Sequence, residues 1–180
     1  MTDMTDDQLL DYASGLGAHA AEGNASVERS AASPSTSGVP AIEVARAAAD
    51  AASFKGAEDI CIIDLTELSD VCDYFVLATG SNTRMVDAVV DEVEEKVAKA
   101  FGEHPFSIEG REERNWILMD YGSVVVHSFT PEAREYYRLE ALWNDAPVID
   151  LAAEAGLENL QYSDRIAKLL GREAAQGEEA

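Results

Sequence analysis

The chain has 180 residues, a length typical of one domain with additional terminal segments. Hydrophobic residues make up 47% of it, enough for a buried core, which excludes a wholly disordered chain. The 35 acidic and 13 basic residues give a formal net charge of -22, which argues against binding through nucleic-acid phosphates. This acidity fits either docking on a basic protein or a surface that only maintains solubility.

Cysteines and targeting signals add few constraints. Cys61 and Cys72 lie in or beside apolar runs without a Cys-x-x-Cys spacing, and the three histidines are scattered, so we expect buried free thiols and no zinc site. No apolar run approaches the roughly 20 residues of a membrane span. The acidic N-terminus also lacks the basic start of a secretory signal and the arginine-rich character of a transit peptide. We expect a cytoplasmic protein that needs no metal or cofactor.

Composition divides the chain into three parts. Residues 1–39 are rich in Ala, Ser, Gly and Thr and predict a flexible acidic arm, with a short helix around residues 8–13. Residues 40–151 form the predicted domain, in which 23 acidic and 9 basic side chains leave a net charge of -14. Residues 152–180 predict an extension that is partly helical or disordered, with a weakly amphipathic stretch between Leu157 and Leu170.

The first half of the domain predicts a helix, two strands and a long helix. Pro40 and the alanine-rich stretch after it predict a helix to Ala52. The apolar runs 59–65 and 74–79 predict buried strands. About eight residues join them, too few for a parallel crossover, so we expect an antiparallel pair. After Gly80, valines at helical spacing predict a helix that ends near Phe101.

The second half predicts three strands and a helix. Residues 106–109, 115–120 and 124–129 are the strands, and Tyr121-Gly122 predicts a tight turn between the last two. Thr130 and Pro131 then predict the start of a helix that runs to about Leu142. The order of elements indicates an α/β fold with a mixed sheet of about five strands covered by helices.

The sequence contains three candidate catalytic or ligand-binding features, and none of them completes a catalytic site. The strand, Gly80-Ser81 turn and helix allow a phosphate site, or simply a turn followed by an N-cap, and they match neither the P-loop nor the dinucleotide fingerprint. A nucleotidyltransferase would need paired carboxylates on a nearby strand, whereas Glu109 and Asp120 stand alone. His127 fits a general base or metal ligand, or a packed histidine in a strand.

Aromatic residues concentrate near the end of the domain. They fall in the last two strands, their turn and the last helix: Trp116, Tyr121, Tyr136, Tyr137 and Trp143. Protein interfaces are enriched in Trp and Tyr. Trp116 and Asp120 share one face of their strand, so they form a docking patch if that face is exposed, and Trp116 is core filler if it is buried.

Several ordered motifs carry a family resemblance over residues 56–151. They are Asp59-Ile, Asp73-Tyr-Phe-Val with Ala-Thr-Gly-Ser, Ile108-Glu-Gly-Arg-Glu, Trp116-Ile-Leu-Met-Asp-Tyr-Gly-Ser-Val-Val-Val-His, Phe129-Thr-Pro-Glu-Ala-Arg-Glu-Tyr and Leu139-Glu-Ala-Leu-Trp-Asn-Asp-Ala-Pro. This set resembles the ribosomal silencing factor family, also called the Iojap family. The resemblance implies a fold similar to nucleotidyltransferases but without their catalytic acids.

The resemblance also implies a function. Family members are non-enzymatic; they bind the large ribosomal subunit through its fourteenth protein and sterically block the small subunit when nutrients are scarce. They are homodimers off the ribosome. Carried over by motif, the partner-binding residues are Trp116, Asp120 and Tyr121, then Glu109, Arg138, Leu142 and Trp143. We expect removal of residues 1–39 to leave binding intact. The alternative is a divergent nucleotide-binding or nucleotidyltransferase-like protein.

Overall fold

The computed structural model describes residues 10–11, 38–151 and 157–171. Within these ranges, the helices are α1 (Ala41–Phe54), α2 (Thr83–Phe101), α3 (Pro131–Tyr137), α4 (Leu139–Leu142) and α5 (Asp164–Leu169). The strands are β1 (Glu58–Asp64), β2 (Tyr74–Thr79), β3 (Ser107–Glu109), β4 (Trp116–Asp120), β5 (Val124–Phe129) and β6 (Val148–Ile149).

The strands form one mixed sheet in the order β3-β4-β5-β2-β1-β6. The predicted antiparallel pairing of β1 with β2 is confirmed, and β2 pairs in parallel with β5 at the centre. The mixed α/β fold is confirmed, but the described part of the sheet has six strands rather than about five. The additional strand, β6, has two residues and pairs with the edge of β1, which is too short to give a pattern in the sequence.

Helices α1 and α2 cover one face of the sheet, called here the first face. The five valines predicted to line α2 are all buried: Val86, Val89, Val90, Val93 and Val97. They pack with the alanines of α1 and with Ile62, Val76 and Ile117 of the sheet. Six residues of α1 are buried on this face, five of them alanines, so this face is a hydrophobic core.

The second face of the sheet lies under shorter elements. Its buried side chains include Phe75, Leu77 and Leu118, and α3 contributes Ala133 while α4 contributes Leu139. Tyr137, Trp143 and Leu170 pack against this cluster while staying partly exposed. On the second face, therefore, large side chains pack against the core and are at the same time partly exposed to solvent.

The start of α2 differs in detail from the prediction. Asn82, rather than Gly80-Ser81, caps the helix, since its side chain accepts a hydrogen bond from the backbone N–H of Met85 at 3.0 Å. Gly80 serves close packing, because a Cβ there would lie 2.8 Å from the backbone nitrogen of Val86. The turn therefore requires glycine for space.

The last predicted helix is broken in two. Thr130 caps α3 as expected, but the helix ends at Tyr137, and Arg138 after it has a φ of 48°, in the left-handed region. The prediction of one helix to Leu142 is therefore wrong. The break redirects the chain so that Leu139 and Glu140 of α4 point into the protein, where both are buried.

Two terminal segments contact the domain. Part of the predicted C-terminal extension, residues 157–171, packs against it through buried Leu157 and Ile166 and forms α5. Leu10 packs against the second-face cluster, and Leu10 and Asp11 are helical, whereas residues 1–9 and 12–37, with the other four residues of the predicted helix, lie outside the described residues. Among the helices of the described ranges, none has the length and apolar character to cross a membrane.

Candidate functional site

Trp116 lies at the centre of an aromatic cluster under α3. Its side chain is 0% exposed, and its Nε1 donates a hydrogen bond to Nδ1 of His127 at 3.0 Å. Its ring stacks on Phe129 with centroids 5.0 Å apart and contacts Tyr137 at 4.8 Å. The hypothesis of an exposed Trp116 patch is therefore wrong, because Tyr137 covers the indole; the core alternative describes this residue.

His127 is a packed residue of the same cluster. It is fully buried, and burial, together with the positive charge of Arg134, lowers its pKa to about 3. Because Nδ1 accepts from Trp116, the proton of the neutral ring is assigned to Nε2, which has no hydrogen-bond partner among the described residues. A buried, neutral histidine of this kind fits a structural role rather than that of a general base.

Three of the predicted site residues come together where α3 and α4 end. Leu142 is 53% exposed and Arg138 is exposed. Trp143, which directly follows α4, is half-buried, and its ring contacts Phe75 edge-on at 5.9 Å. This corner therefore offers an aliphatic, an aromatic and a cationic group at the surface of the second face.

Glu109 and Asp120 lie at the opposite edge of the same face. In the β3–β4 register Glu109 is opposite Leu118, and Asp120 is opposite Ser107, so both carboxylates share the face on which Leu118 is buried. Asp120 also accepts a hydrogen bond from the backbone N–H of Gly122 at 2.7 Å. The two acids are half-buried, and they are positioned by the strand and the turn.

Tyr121 is separate from the other predicted site residues. It lies one residue beyond Asp120, so its side chain points to the first face, where it is 6% exposed and packs with the core. Its hydroxyl has no hydrogen-bond partner within the described residues, and burial raises its pKa. The resemblance assigned Tyr121 to the partner-binding residues together with Asp120, and the structure places the two side chains on opposite faces of the sheet.

The exposure of Tyr136, which the sequence named among the aromatic residues, and the burial of Arg134 were not predicted. Tyr136 of α3 is 78% exposed, and the spacing of the inward residues Ala133, Arg134 and Tyr137 could have indicated its outward direction. Arg134 itself is 1% exposed and pairs with buried Glu140 at 3.3 Å. No local pattern reveals that pair, because the chain turn at Arg138 brings the two residues together.

Two further observations concern metal ligands and cavities. In the part of the chain that the structure describes, no three His, Cys, Asp or Glu side chains are grouped so that they could hold a metal ion. A cavity between α1 and the β4–β5 turn, lined by Val44, Glu103 and Tyr121, has a volume of about 10 Å³, room for about one water molecule. The candidate site is therefore the surface that the predicted residues form on the second face.

Comparisons with known proteins find related chains. The family model described as "Ribosomal silencing factor during starvation" matches residues 39–173. A ribosomal silencing factor of Bacillus subtilis is 41% identical over 108 residues, which are 60% of this chain and 91% of that protein. A mouse protein named mitochondrial assembly of ribosomal large subunit protein 1 is 35% identical over 108 residues, 59% of this chain and 47% of that protein. A crystal structure of a Chromobacterium violaceum protein is similar with a TM-score of 0.56 and 34% identity, and the match covers 58% of this chain and 87% of that one.

Proposed function

The chain belongs to the ribosomal silencing factor family, and from that premise we propose that it is a non-catalytic repressor that binds the large ribosomal subunit. Bound there, it sterically prevents the small subunit from joining. Its partner on the large subunit is the fourteenth protein, as the resemblance implies. The observation that carries the proposal is the exposed, mixed apolar and charged second-face surface in a chain of this family.

We define the docking surface as Glu109, Asp120, Arg138, Leu142 and Trp143. Protein interfaces combine a few aromatic or apolar anchors with a polar rim. Leu142 and Trp143 supply the anchors, and Tyr136 lies exposed on the adjoining helix. Glu109, Asp120 and Arg138 supply the rim. Trp116 supports this surface from below through Tyr137 and does not reach a partner directly.

The charge of the chain supports a protein partner. With a net charge of -22, the molecule is repelled by the phosphates of ribosomal RNA and attracted by basic ribosomal proteins. Glu109 and Asp120 place part of that charge on the docking surface. Repression by occupancy requires no chemistry, which agrees with the neutral, buried state of His127.

The test is co-sedimentation of the protein with isolated large subunits. We expect Leu142→Ala and Trp143→Ala to weaken binding by about tenfold each, the scale of interface anchors. Phe54→Ala is the matched control, because Phe54 is 75% exposed on α1, which covers the opposite face of the sheet. The control should bind like the wild type.

Different outcomes of this experiment would refute the proposed function and the proposed docking surface. Failure of the wild type to sediment with large subunits at low and moderate salt would refute the function, and thermal stabilisation by a nucleotide with magnesium would then favour the alternative. Equal weakening by all three substitutions would refute the docking surface alone. The homodimer, the cytoplasmic location and the dispensability of residues 1–39 stay predictions; light scattering and truncation test the first and the last.

A further inference from the structure

We propose that the C-terminal segment, residues 157–171, positions the docking helix α4 through the ion pair between Arg165 and Glu140. The segment is then part of the binding machinery, and Arg165 and Glu140 are positioning residues. The consequence for ribosome binding rests on the proposed function, whereas the positioning itself can be measured without a ribosome.

The segment is attached to β1 at three points. The backbone N–H of Asp59 donates to the carbonyl of Gln161 at 2.9 Å, and the N–H of Ser163 donates to the Asp59 carboxylate at 2.6 Å. The hydroxyl of Tyr162 donates to the carbonyl of Ile60 at 3.1 Å. Ile166 of α5 is also buried. These bonds fix the start of α5 beside the strand.

A bulge in β1 connects this attachment to α3. The register of β1 shifts between Glu58 and Cys61, and Asp59 within it has a φ of 51°, in the left-handed region. Asp59 bonds to the C-terminal segment through its N–H and carboxylate, while its carbonyl accepts from Nη1 of Arg134 at 2.9 Å. Strain of this kind persists only where the surroundings hold it, as these bonds do.

Glu140 of α4 contacts both α3 and the C-terminal segment. One oxygen of its buried carboxylate accepts from Nε of Arg134 at 3.3 Å, and the other pairs with Arg165 of α5. A buried carboxylate needs compensating charge and hydrogen bonds on both oxygens. Burial is the largest single effect and raises the pKa of the Glu140 carboxyl, but the charge of Arg134, a backbone hydrogen bond, and the hydrogen bond and charge of Arg165 together hold that pKa below its usual range. Arg165 is therefore the link from the segment to α4.

Helix α4 depends on that link for its orientation. It has four residues, too few to be stable by itself, and the chain enters it through the left-handed turn at Arg138. Only Leu139 and Glu140 of the four are buried, so these two hold the helix on the domain. Leu142 is the last residue of α4 and Trp143 comes directly after it, so how Glu140 is held sets where both side chains lie.

The experiment compares three variants of the full chain. Arg165→Met removes the link, Arg165→Lys keeps a cation, and Lys168→Met removes the same charge from an exposed position of the same helix. The chain has two tryptophans, so labelling with 5-fluorotryptophan gives two ¹⁹F resonances, assigned with a Trp143→Phe variant. Binding to large subunits is measured on the same samples.

In Arg165→Met we expect the Trp143 resonance to shift or broaden while that of buried Trp116 stays in place. Large-subunit binding should fall by about tenfold, within the range for residues that act on a site without touching its ligand. Arg165→Lys should restore most of the wild-type Trp143 resonance and most of the wild-type binding. Lys168→Met should change neither the resonance nor the binding.

An unchanged Trp143 resonance in Arg165→Met would overturn the proposal, whatever the binding result. Equal shifts of both tryptophan resonances would also overturn it, because they would indicate a general structural role. A selective Trp143 shift with wild-type affinity would overturn the binding consequence and keep the positioning. If the wild type itself fails to bind large subunits while the Trp143 shift is selective, the proposed function fails and the positioning stands.

Discussion

Gly110 shows at the scale of one residue how the aromatic cluster is held. It turns the chain after β3 with a φ of 91°, and a Cβ at this position would lie 2.1 Å from the carbonyl oxygen of Trp116. We predict that Gly110→Ala lowers the free energy of unfolding by more than about 2 kcal/mol, because backbone strain and a backbone clash add. Urea denaturation measures it.

Gly102 provides the matched control for that substitution. It ends α2 with a φ of 69°, and nothing lies within 4 Å of the position of its missing Cβ. Gly102→Ala should therefore cost only about 1 kcal/mol, from the left-handed conformation alone. If the two variants lose similar amounts of unfolding free energy, the backbone near Gly110 must shift enough to avoid the clash with Trp116. The clash would then not constrain this position.

His127 predicts a pH dependence of stability. Its pKa is lowered to about 3 in the folded protein, against an ordinary value of 6.5, so the unfolded chain binds its proton first as pH falls. Stability from this group is fully present above pH 6.5 and is lost progressively as pH falls toward 3. Between pH 8 and pH 5 the loss should be about 2 kcal/mol.

The pH prediction is tested by the difference between the wild type and His127→Asn. Asparagine keeps an oxygen that can accept from the Trp116 indole, but it does not titrate. The variant will be less stable overall, so the slope of unfolding free energy against pH is the quantity to compare. Parallel slopes between pH 6.5 and pH 5 would contradict the burial of an unprotonated His127.

At the scale of elements, the first turn of α2 tests which residue caps the helix. The Asn82 side chain accepts from the backbone of Met85 at 3.0 Å, whereas Ser81 contributes contacts of 3.4 Å and longer to the Met85 sulfur. We predict that Asn82→Ala costs about 1 kcal/mol, and that Ser81→Ala costs a few tenths. Thermal unfolding of both variants checks the order, and a larger loss in Ser81→Ala would contradict it.

Elements with a clear periodic pattern were predictable from the sequence. The valines of α2 repeat at helical spacing, and β2 and β5 were placed at their observed bounds. The break at Arg138 was not predictable, because the sequence from Pro131 to Leu142 has no glycine or internal proline to mark it. It follows from tertiary pairing of Glu140 with Arg134 and Arg165, which local propensity does not encode.

The candidate site followed the same division. Leu142 is exposed and Trp143 is half-buried at the end of α4, and their role in binding stays a prediction. The sequence left the burial of Trp116 open and did not predict that of Tyr121, because burial depends on which element covers each face of the sheet. Tyr137 covers Trp116 only once α3 lies across β4 and β5. Contacts between elements that are distant in sequence determine which side chains are buried. The sequence pattern showed only that successive side chains of β4 point to opposite faces of the sheet.

At the scale of the whole molecule, the acidic charge predicts how association depends on salt. A net charge of -22 should accelerate encounter with a basic partner at low ionic strength. We predict that the association rate with large subunits falls by at least about tenfold between 20 and 200 mM salt, with a smaller change in dissociation. Surface-based binding kinetics at several salt concentrations measure both rates.

Substitutions that remove one acidic charge each can distinguish attraction by the total charge of the protein from attraction by the docking surface. Asp120→Asn keeps an oxygen for the turn at Gly122 and removes one charge from the docking surface. Glu95→Gln removes one charge from α2, on the opposite face of the sheet. Because electrostatic attraction falls steeply with distance in salt, the first substitution should slow association several-fold more than the second. Equal effects would mean that the total charge, and not the second face, steers the protein to the subunit.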